Sequence, residues 1–381
     1  MNTILVVGGG IGGLTLAAAL KKRGVAVEVW ERAPQFKPLG AGIVMSINAM
    51  AVLRGLGLGT LAEEKGWTVH QLDVTDETGR VLSGIDITGI ASVHGESVAL
   101  HRAALHEVLL HGCDGVTIRP GTTAEDIRQD GDRVRVKDNH GGEQEFSLVV
   151  GADGLHSQVR TLVFGRIPTR YSGYTCWRAV VPFDVGNSHR SVEMWGRGKR
   201  VGLVPISKDR VYMFTTLNAP AGMADPVEGR LERFRERFAE FGDLAPAIIR
   251  AVRQPEALLH HDLEQIEVAP WVKGRVVLLG DAAHAMTPNM GQGAAMAIED
   301  AAVLSRLIAE QGITDESLAR YEALRRPRVH TIQSTSWRLG RVAQWQNAMA
   351  CRVRNAMFAA MPDSMTLRQL ARVIEQGTQV V

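Results

Sequence analysis

Three short stretches of this chain gather residues that could do chemistry. The first is Gly8-x-Gly10-x-x-Gly13, followed by Glu31 at a distance of 18 residues from the third glycine. The second is GADGLHSQVR at 151–160, which contains Asp153, Gly154 and Arg160. The third, GDAAHAMTPNMGQG at 280–293, sets Gly280, Asp281, His284, Pro288 and the run Gly291-Gln292-Gly293 between an apolar run and a long helical pattern. In the first stretch Gly8 permits a tight turn, Gly10 lets a pyrophosphate approach the backbone, and Gly13 lets helix and strand pack closely. Glu31 stands where a carboxylate accepts adenosine ribose hydroxyls, so the chemistry implied is the grip on a dinucleotide. This fingerprint alone does not choose between NAD and FAD.

The surrounding patterns supply elements to position these residues. Ile4 to Val7 read as a buried strand, a helix runs from the glycines to about Lys22, Gly24 stops it, and Val25 to Trp30 form a second strand. Residues 103–111 read as a helix preceded by Arg102, and Leu148 to Val150 as a buried strand before the second stretch. From Tyr171 onward, SGYTCWRAVVPF, RSVEMWG, KRVGLVPIS and RVYMFTTLN are short strands joined by turn residues, the pattern of an antiparallel sheet. Leu231, Phe234, Phe238 and Phe241 then recur at helical spacing as a core stripe. The chain returns through GRVVLLGDAAHA to nucleotide-binding sequence, so the sheet is an insertion.

The fold class expected is therefore α/β: a Rossmann-like domain with an inserted antiparallel β-sheet substrate domain and a C-terminal helical segment. The ranges are 1–70, 97–170 and 260–320 for the nucleotide-binding domain, 71–96 and 171–259 for the substrate domain, and 321–381 for the C-terminal helices. A length of 381 residues suits two interleaved cores. With 22% charged residues and a formal charge of +2, no global field favours nucleic acid as a partner. Three scattered cysteines, Cys113, Cys176 and Cys351, indicate neither a disulfide framework nor a metal site, and fit a reducing cytoplasm.

With the three stretches in this order, nearly the whole chain resembles the group A flavoprotein monooxygenases, the FAD-dependent aromatic hydroxylases. The resemblance implies FAD as cofactor, NADH or NADPH as electron donor, O2 as co-substrate and a small aromatic ring as substrate. It implies that Asp281 accepts hydrogen bonds from the ribityl hydroxyls while Gly280 gives the backbone room. Pro288 then shapes the loop beside the isoalloxazine ring, and Gly291-Gln292-Gly293 opens a helix toward the flavin N1/O2 edge. Arg32 and Arg102 match positions that contact the FAD adenosine and pyrophosphate, and Asp153 and Gly154 are associated with both FAD and the transient nicotinamide. Arg160 lies near that surface. His284 reads as structural.

The implied reaction adds one oxygen to an electron-rich ring through a flavin C4a-hydroperoxide. Arg200 and Tyr212, on strands of the inserted sheet, are the candidate substrate-facing residues, with Pro288 beside the ring. SGYTCWRAVVP, GRGKR, LHHDLEQ and QSTSWRLGRVAQW most resemble the 2-alkyl-4-quinolone 3-hydroxylases, and next the FAD-dependent urate hydroxylases. The alternatives are another aromatic hydroxylase or, in a different class, a flavin reductase or a flavin-binding module without turnover. Between Ala323 and Met361 stand seven arginines and no Asp or Glu, with Val342, Trp345, Met349, Val353 and Ala356 at helical spacing. A basic helix with one apolar face can lie on an anionic membrane, which would put a cytoplasmic protein peripherally at its inner face.

Overall fold

Apolar runs bounded by glycine turns become the inner strands of a six-stranded sheet. The computed structural model describes residues 3–36 and 41–379; positions 1–2, 37–40 and 380–381, which the expected domain ranges include, lie outside the described residues. The sheet runs in the order Val272–Lys273, Val276–Leu278, Leu148–Gly151, Ile4–Val7, Val27–Glu31, Thr117–Pro120, all parallel but for the short edge strand Val272–Lys273. Every residue of Ile4–Val7 and of Leu148–Gly151 is buried, as expected for parallel strands covered on both faces.

The helix Ile11–Lys22 makes the crossover between the strands Ile4–Val7 and Val27–Glu31. Leu14, Leu16 and Leu20 on it are fully buried, each worth roughly 1.5–3 kcal/mol of transfer free energy. It packs on the long helix Gly293–Gln311, and the approach is close. A Cβ at Gly12 would stand 2.6 Å from the Leu279 side chain and 3.2 Å from that of Ala297.

The second sheet has seven strands, ordered Leu259–Gln265, Arg170–Pro182, Arg210–Asn218, Lys199–Ser207, Arg190–Trp195, Gln71–Asp76, Val81–Asp86. Its pairs are antiparallel except Arg190–Trp195 with Gln71–Asp76. Alternation sorts the side chains. Trp177, Val201, Leu203 and Met213 face a core closed by Phe234, Phe238 and Phe241, while Cys176, Arg178, Val180, Arg200, Tyr212, Phe214 and Thr216 take the other face. A three-stranded sheet, Gly42–Met45, Ser97–His101 and Trp67–Val69, joins the two halves, packing Val69 and Ala99 on Val204 and Ile206.

Three expectations need correction. Residues 260–265 belong to the sheet and not to the nucleotide-binding domain, because the strand Leu259–Gln265 pairs with Arg170–Pro182 before the chain crosses back. The boundary at 320/321 falls inside the helix Asp315–Ala343, which starts at a capping box between Thr314 and Ser317. The apolar stripe from Val342 to Ala356 is not one helix. The first helix ends at Ala343 and a new one, Ala348–Ala359, starts with the Asn347 side chain capping Met349 and Ala350. Arg354, from the basic run, turns inward to bond the carbonyls of Ala343 and Gly196 and to stack on Trp195. A final helix, Asp363–Thr378, completes the chain. Among the described residues no helix is long and apolar enough to cross a membrane.

Candidate functional site

The three stretches converge at the carboxyl ends of the parallel strands, where open α/β sheets bind ligands. Each glycine of the first does a separate task. Gly8 has φ of +112°, and a Cβ there would fall 2.4 Å from the Ala152 carbonyl oxygen, so the first and second stretches touch backbone to backbone. At Gly13 a Cβ would stand 2.0 Å from the Gly8 carbonyl oxygen. Gly10 is different: a Cβ there meets nothing within 4 Å, and its side of the loop is open. The first intrahelical bond runs from Leu14 N–H to the Gly10 carbonyl, leaving the earlier N–H groups of the turn without helical partners.

Glu31 accepts from Gly9 N–H at 2.7 Å and from Ala33 N–H at 2.8 Å. It thus shapes the glycine loop, and a carboxylate keeps further lone pairs for hydroxyl donors. Arg32 beside it is exposed. The Asp153 carboxylate accepts from the Ser157 hydroxyl and from Gln158 and Val159 N–H at 2.7 and 3.1 Å. With these bonds it caps the helix Gln158–Phe164 and shapes the loop at the second stretch. Gly154 follows with φ of +81° and open space around it. Arg160, buried, donates to the carbonyls of Ala282 and Leu155 at 2.8 and 2.6 Å and so stitches the second stretch to the third.

In the third stretch Gly280 leaves the strand with φ of +62° against Ala297, and Asp281 begins the short helix Asp281–His284 with its side chain exposed. Pro288–Met290 form one helical turn, with Pro288 exposed and Asn289 and Met290 half-buried, and Gly291, φ +62°, leads into Gly293–Gln311. That helix has no side-chain cap: the Gln292 side chain turns inward to accept from Asn48 at 3.0 Å, and open space surrounds Gly291. Its positive end is therefore free to face an anion.

Below the loop lies a buried charge network. His284 Nε2 is 2.6 Å from Asp300, which also accepts from Gly280 N–H at 3.1 Å and Arg325 at 2.6 Å. Glu299 accepts from Arg325 at 2.6 Å, from Arg328 at 2.7 Å and from Asn48 at 2.7 Å. Burial alone would raise both carboxyl pKa values, but for Asp300 the charges of His284 and Arg325, and for Glu299 those of Arg325 and Arg328, outweigh it and hold both below the ordinary range. His284 is thus a structural residue.

Across the cleft stands the polar face of the seven-stranded sheet. Arg200 is buried, donating to Thr216 at 3.2 Å, Gln344 at 3.0 Å, Glu193 at 2.8 Å and the Asn289 side-chain oxygen at 2.8 Å. It does not present a free fork to a substrate; it clamps the residue after Pro288. Asn289 in turn donates to Tyr174, Thr287 and the Ser336 carbonyl, each at 2.9 Å, in space that Gly340 leaves vacant. Tyr212 backs onto Gly42, where a Cβ would come within 2.3 Å of it. Burial pushes its phenol up to about 12, so at neutral pH it is a protonated donor. Arg102 opens on the same cleft; partial withdrawal from water lowers its pKa, and Asp281 offsets this while Arg178 adds to it.

These residues fit a dinucleotide. Two helix N-termini without side-chain caps, open backbone at Gly10 and Gly291, the exposed Asp281 and the cationic Arg102 match phosphates and polyol hydroxyls in chemistry. Sequence reasoning missed Asn48, Asn289, Asp300, Arg325 and Gln344. One signal was available: Glu299-Asp300 sits in the otherwise apolar AAMAIEDAAVL, and paired acids on a buried helix require internal cations.

Residues 1–336 match the family model described as FAD binding domain. The chain is 38% identical over 377 residues to an aurachin C monooxygenase/isomerase of Stigmatella aurantiaca, covering 97% of each chain. It is 38% identical over 371 residues to a 2-heptyl-3-hydroxy-4(1H)-quinolone synthase of Pseudomonas aeruginosa, covering 96% of each. The solved structure of Klebsiella pneumoniae HpxO with FAD and uric acid superposes with a TM-score of 0.91 at 27% identity, covering 99% of this chain and 97% of that one.

Proposed function

The chain belongs to the FAD binding domain family and is an FAD-dependent aromatic monooxygenase with NAD(P)H as donor; from that premise we propose that it hydroxylates a 2-alkyl-4-quinolone at C3. The observation that carries this reading is the likeness to the quinolone synthase along 96% of both chains, which includes the C-terminal helices beyond the family match. The cleft supports it. Half-buried Phe214 lies on the sheet face between the Arg200–Asn289 clamp and Tyr212, with half-buried Val180 opposite Tyr212, which suits a flat ring with a polar edge.

FAD, when bound, supplies the reductive activation of O2. Gly8, Gly10, Gly13, Glu31, Arg32 and Arg102 would hold its adenosine and pyrophosphate, with Asp153 and Gly154 shaping the loop. Gly280, Asp281, Gly291, Gln292 and Gly293 would hold its ribityl chain and flavin edge. The rest falls to side chains of the cleft. Tyr212 donates a hydrogen bond to a ring carbonyl, Pro288 limits the space beside the ring, and Arg200 acts through Asn289 by fixing that loop to the sheet. Burial of the ring against Val180 and Phe214 excludes water from the reacting carbon.

The test is NAD(P)H oxidation by the FAD-loaded protein over a panel of 2-alkyl-4-quinolones, urate and simple phenols, with products weighed by mass spectrometry. Stimulation by an alkylquinolone with gain of one oxygen is the expected result. Stimulation by urate alone would move the assignment to the reaction that the HpxO complex suggests. For a substrate that partitions into lipid, exposed Met349, Val353 and Met357 beside Arg352 supply a face for peripheral contact with an anionic membrane. Failure to co-sediment with anionic liposomes at low salt removes that part.

A further inference from the structure

On the cleft face of the sheet, Arg178 has no counter-charge among the described residues. Arg178 lies on the strand Arg170–Pro182, opposite Phe214 and two residues from Cys176. It is half-buried, its Nε is enclosed with no hydrogen-bond partner, and its one described hydrogen bond runs from a terminal nitrogen to His261 Nδ1 at 3.3 Å. Among the described residues no carboxylate comes within ion-pair distance of it. Cys176 precedes it by two residues on the same face of its strand, and Tyr212 lies on that face of the neighbouring strand. Burial first, and then Arg178 and His260, hold the His261 imidazole below its ordinary pKa, so at neutral pH His261 is uncharged and accepts from Arg178 without neutralising it.

An unpaired guanidinium partly withdrawn from water leaves its surroundings short of negative charge. Glu193 does not answer this shortage, because its carboxylate is already paired with Arg200. A ligand that brings an oxyanion does.

We propose that Arg178, oriented by His261, forms an anion subsite that reads the negatively charged edge of a planar ring ligand: a ring enolate, phenolate or carboxylate. This deepens the hydroxylase reading and rests on it for the identity of the substrate, since hydroxylation at an electron-rich carbon is favoured when the ring carries such a charge. The subsite itself is a statement about binding. Arg178 is a specificity residue here, and Arg200 a positioning one.

The experiment uses the FAD-loaded protein and two probes of one shape and different charge, benzoate and benzamide, each followed by the perturbation of bound-flavin absorbance. The wild type is expected to bind benzoate about tenfold or more tightly than benzamide, the range of a charge-assisted hydrogen bond in a partly buried site. Arg178→Gln should abolish that preference, and Arg178→Lys should restore part of it, with FAD affinity and melting temperature unchanged in both. A merely structural arginine would not govern charge selectivity. A wild type without preference for benzoate, or an Arg178→Gln variant that keeps the preference, overturns the proposal; so does a variant whose defect is loss of FAD, which would make Arg178 a flavin ligand. The hydroxylase reading fails separately, when no ring compound stimulates NAD(P)H oxidation, and the benzoate comparison stands in either case.

Discussion

Substitution of single glycines in the first loop separates the grip on FAD from the integrity of the fold. A Cβ at Gly10 meets no protein atom within 4 Å, and the residue's φ of −80° is ordinary for alanine. The folding penalty of Gly10→Ala is then that of a poor helix N-cap, below about 1 kcal/mol. The methyl does, however, occupy the side from which a pyrophosphate comes to the backbone. Loss of one hydrogen bond to a charged group amounts to about 1.5–3 kcal/mol, or roughly a 10- to 160-fold rise in the Kd for FAD. Gly13→Ala is the contrast, because its Cβ would lie 2.0 Å from the Gly8 carbonyl oxygen. Backbone would have to move, and overpacking of this kind costs about 1–3 kcal/mol or more. Titration of the apoprotein with FAD by fluorescence quenching, beside thermal melts of both variants, makes the comparison. A Gly10→Ala protein that binds FAD like the wild type, or melts as low as Gly13→Ala, would refute the division of labour.

Further predictions concern the buried network and the cleft. Arg325→Met leaves Asp300 and Glu299 without their central cation, and is expected to lower stability by about 3–5 kcal/mol in denaturant melts; a loss below about 1 kcal/mol would show that Arg328 and His284 suffice. Because the folded pKa values of Asp300 and Glu299 lie below their ordinary 3.8 and 4.5, their stabilisation is complete above those values. It is lost as pH falls through the folded values, so acid unfolding should begin below about pH 4 and start at higher pH in Arg325→Met. Asn289→Ala and Arg200→Gln should both keep FAD bound but raise several-fold the NAD(P)H consumed per product formed. Unchanged coupling in both would remove the clamp from the mechanism. Tyr212→Phe should raise KM with the flavin spectrum intact, and the phenol, held up to about 12, should show no titration in the rate below pH 9.

Much of the nucleotide-binding half was legible because its signals are local. Gly8, Gly10 and Gly13 sit between a four-residue apolar strand and a largely buried, apolar helix, and nothing distant is needed to place them. The inserted sheet was legible as strands but not as an order. The parallel pairing of Arg190–Trp195 with Gln71–Asp76 joins segments more than a hundred residues apart, and Leu259–Gln265 looks like a connector until its partner is known. Side-chain roles divided in the same way. Asp281 and Pro288 are where a loop after a buried strand puts them, whereas Arg200 could be weighed only once Gln344 and Asn289, 144 and 89 residues away, were seen to bind it. Phe238 and Phe241 reach the core although the helix ends at Arg237, because burial of the stripe matters more than helical continuity. In the C-terminal segment, periodicity across 342–356 misled, since Asn347 caps a new helix and Arg354 finds carbonyls inside.

The most direct test of the monooxygenase account is the origin of the oxygen in the product. The FAD-loaded protein is given NAD(P)H and 2-heptyl-4-quinolone under isotopically labelled O2, and in parallel under ordinary O2 in labelled water. The account predicts one labelled oxygen in the product from the gas and none from the water. Label drawn from water, or NAD(P)H consumed with only reduced oxygen species formed for every ring compound tried, would contradict it.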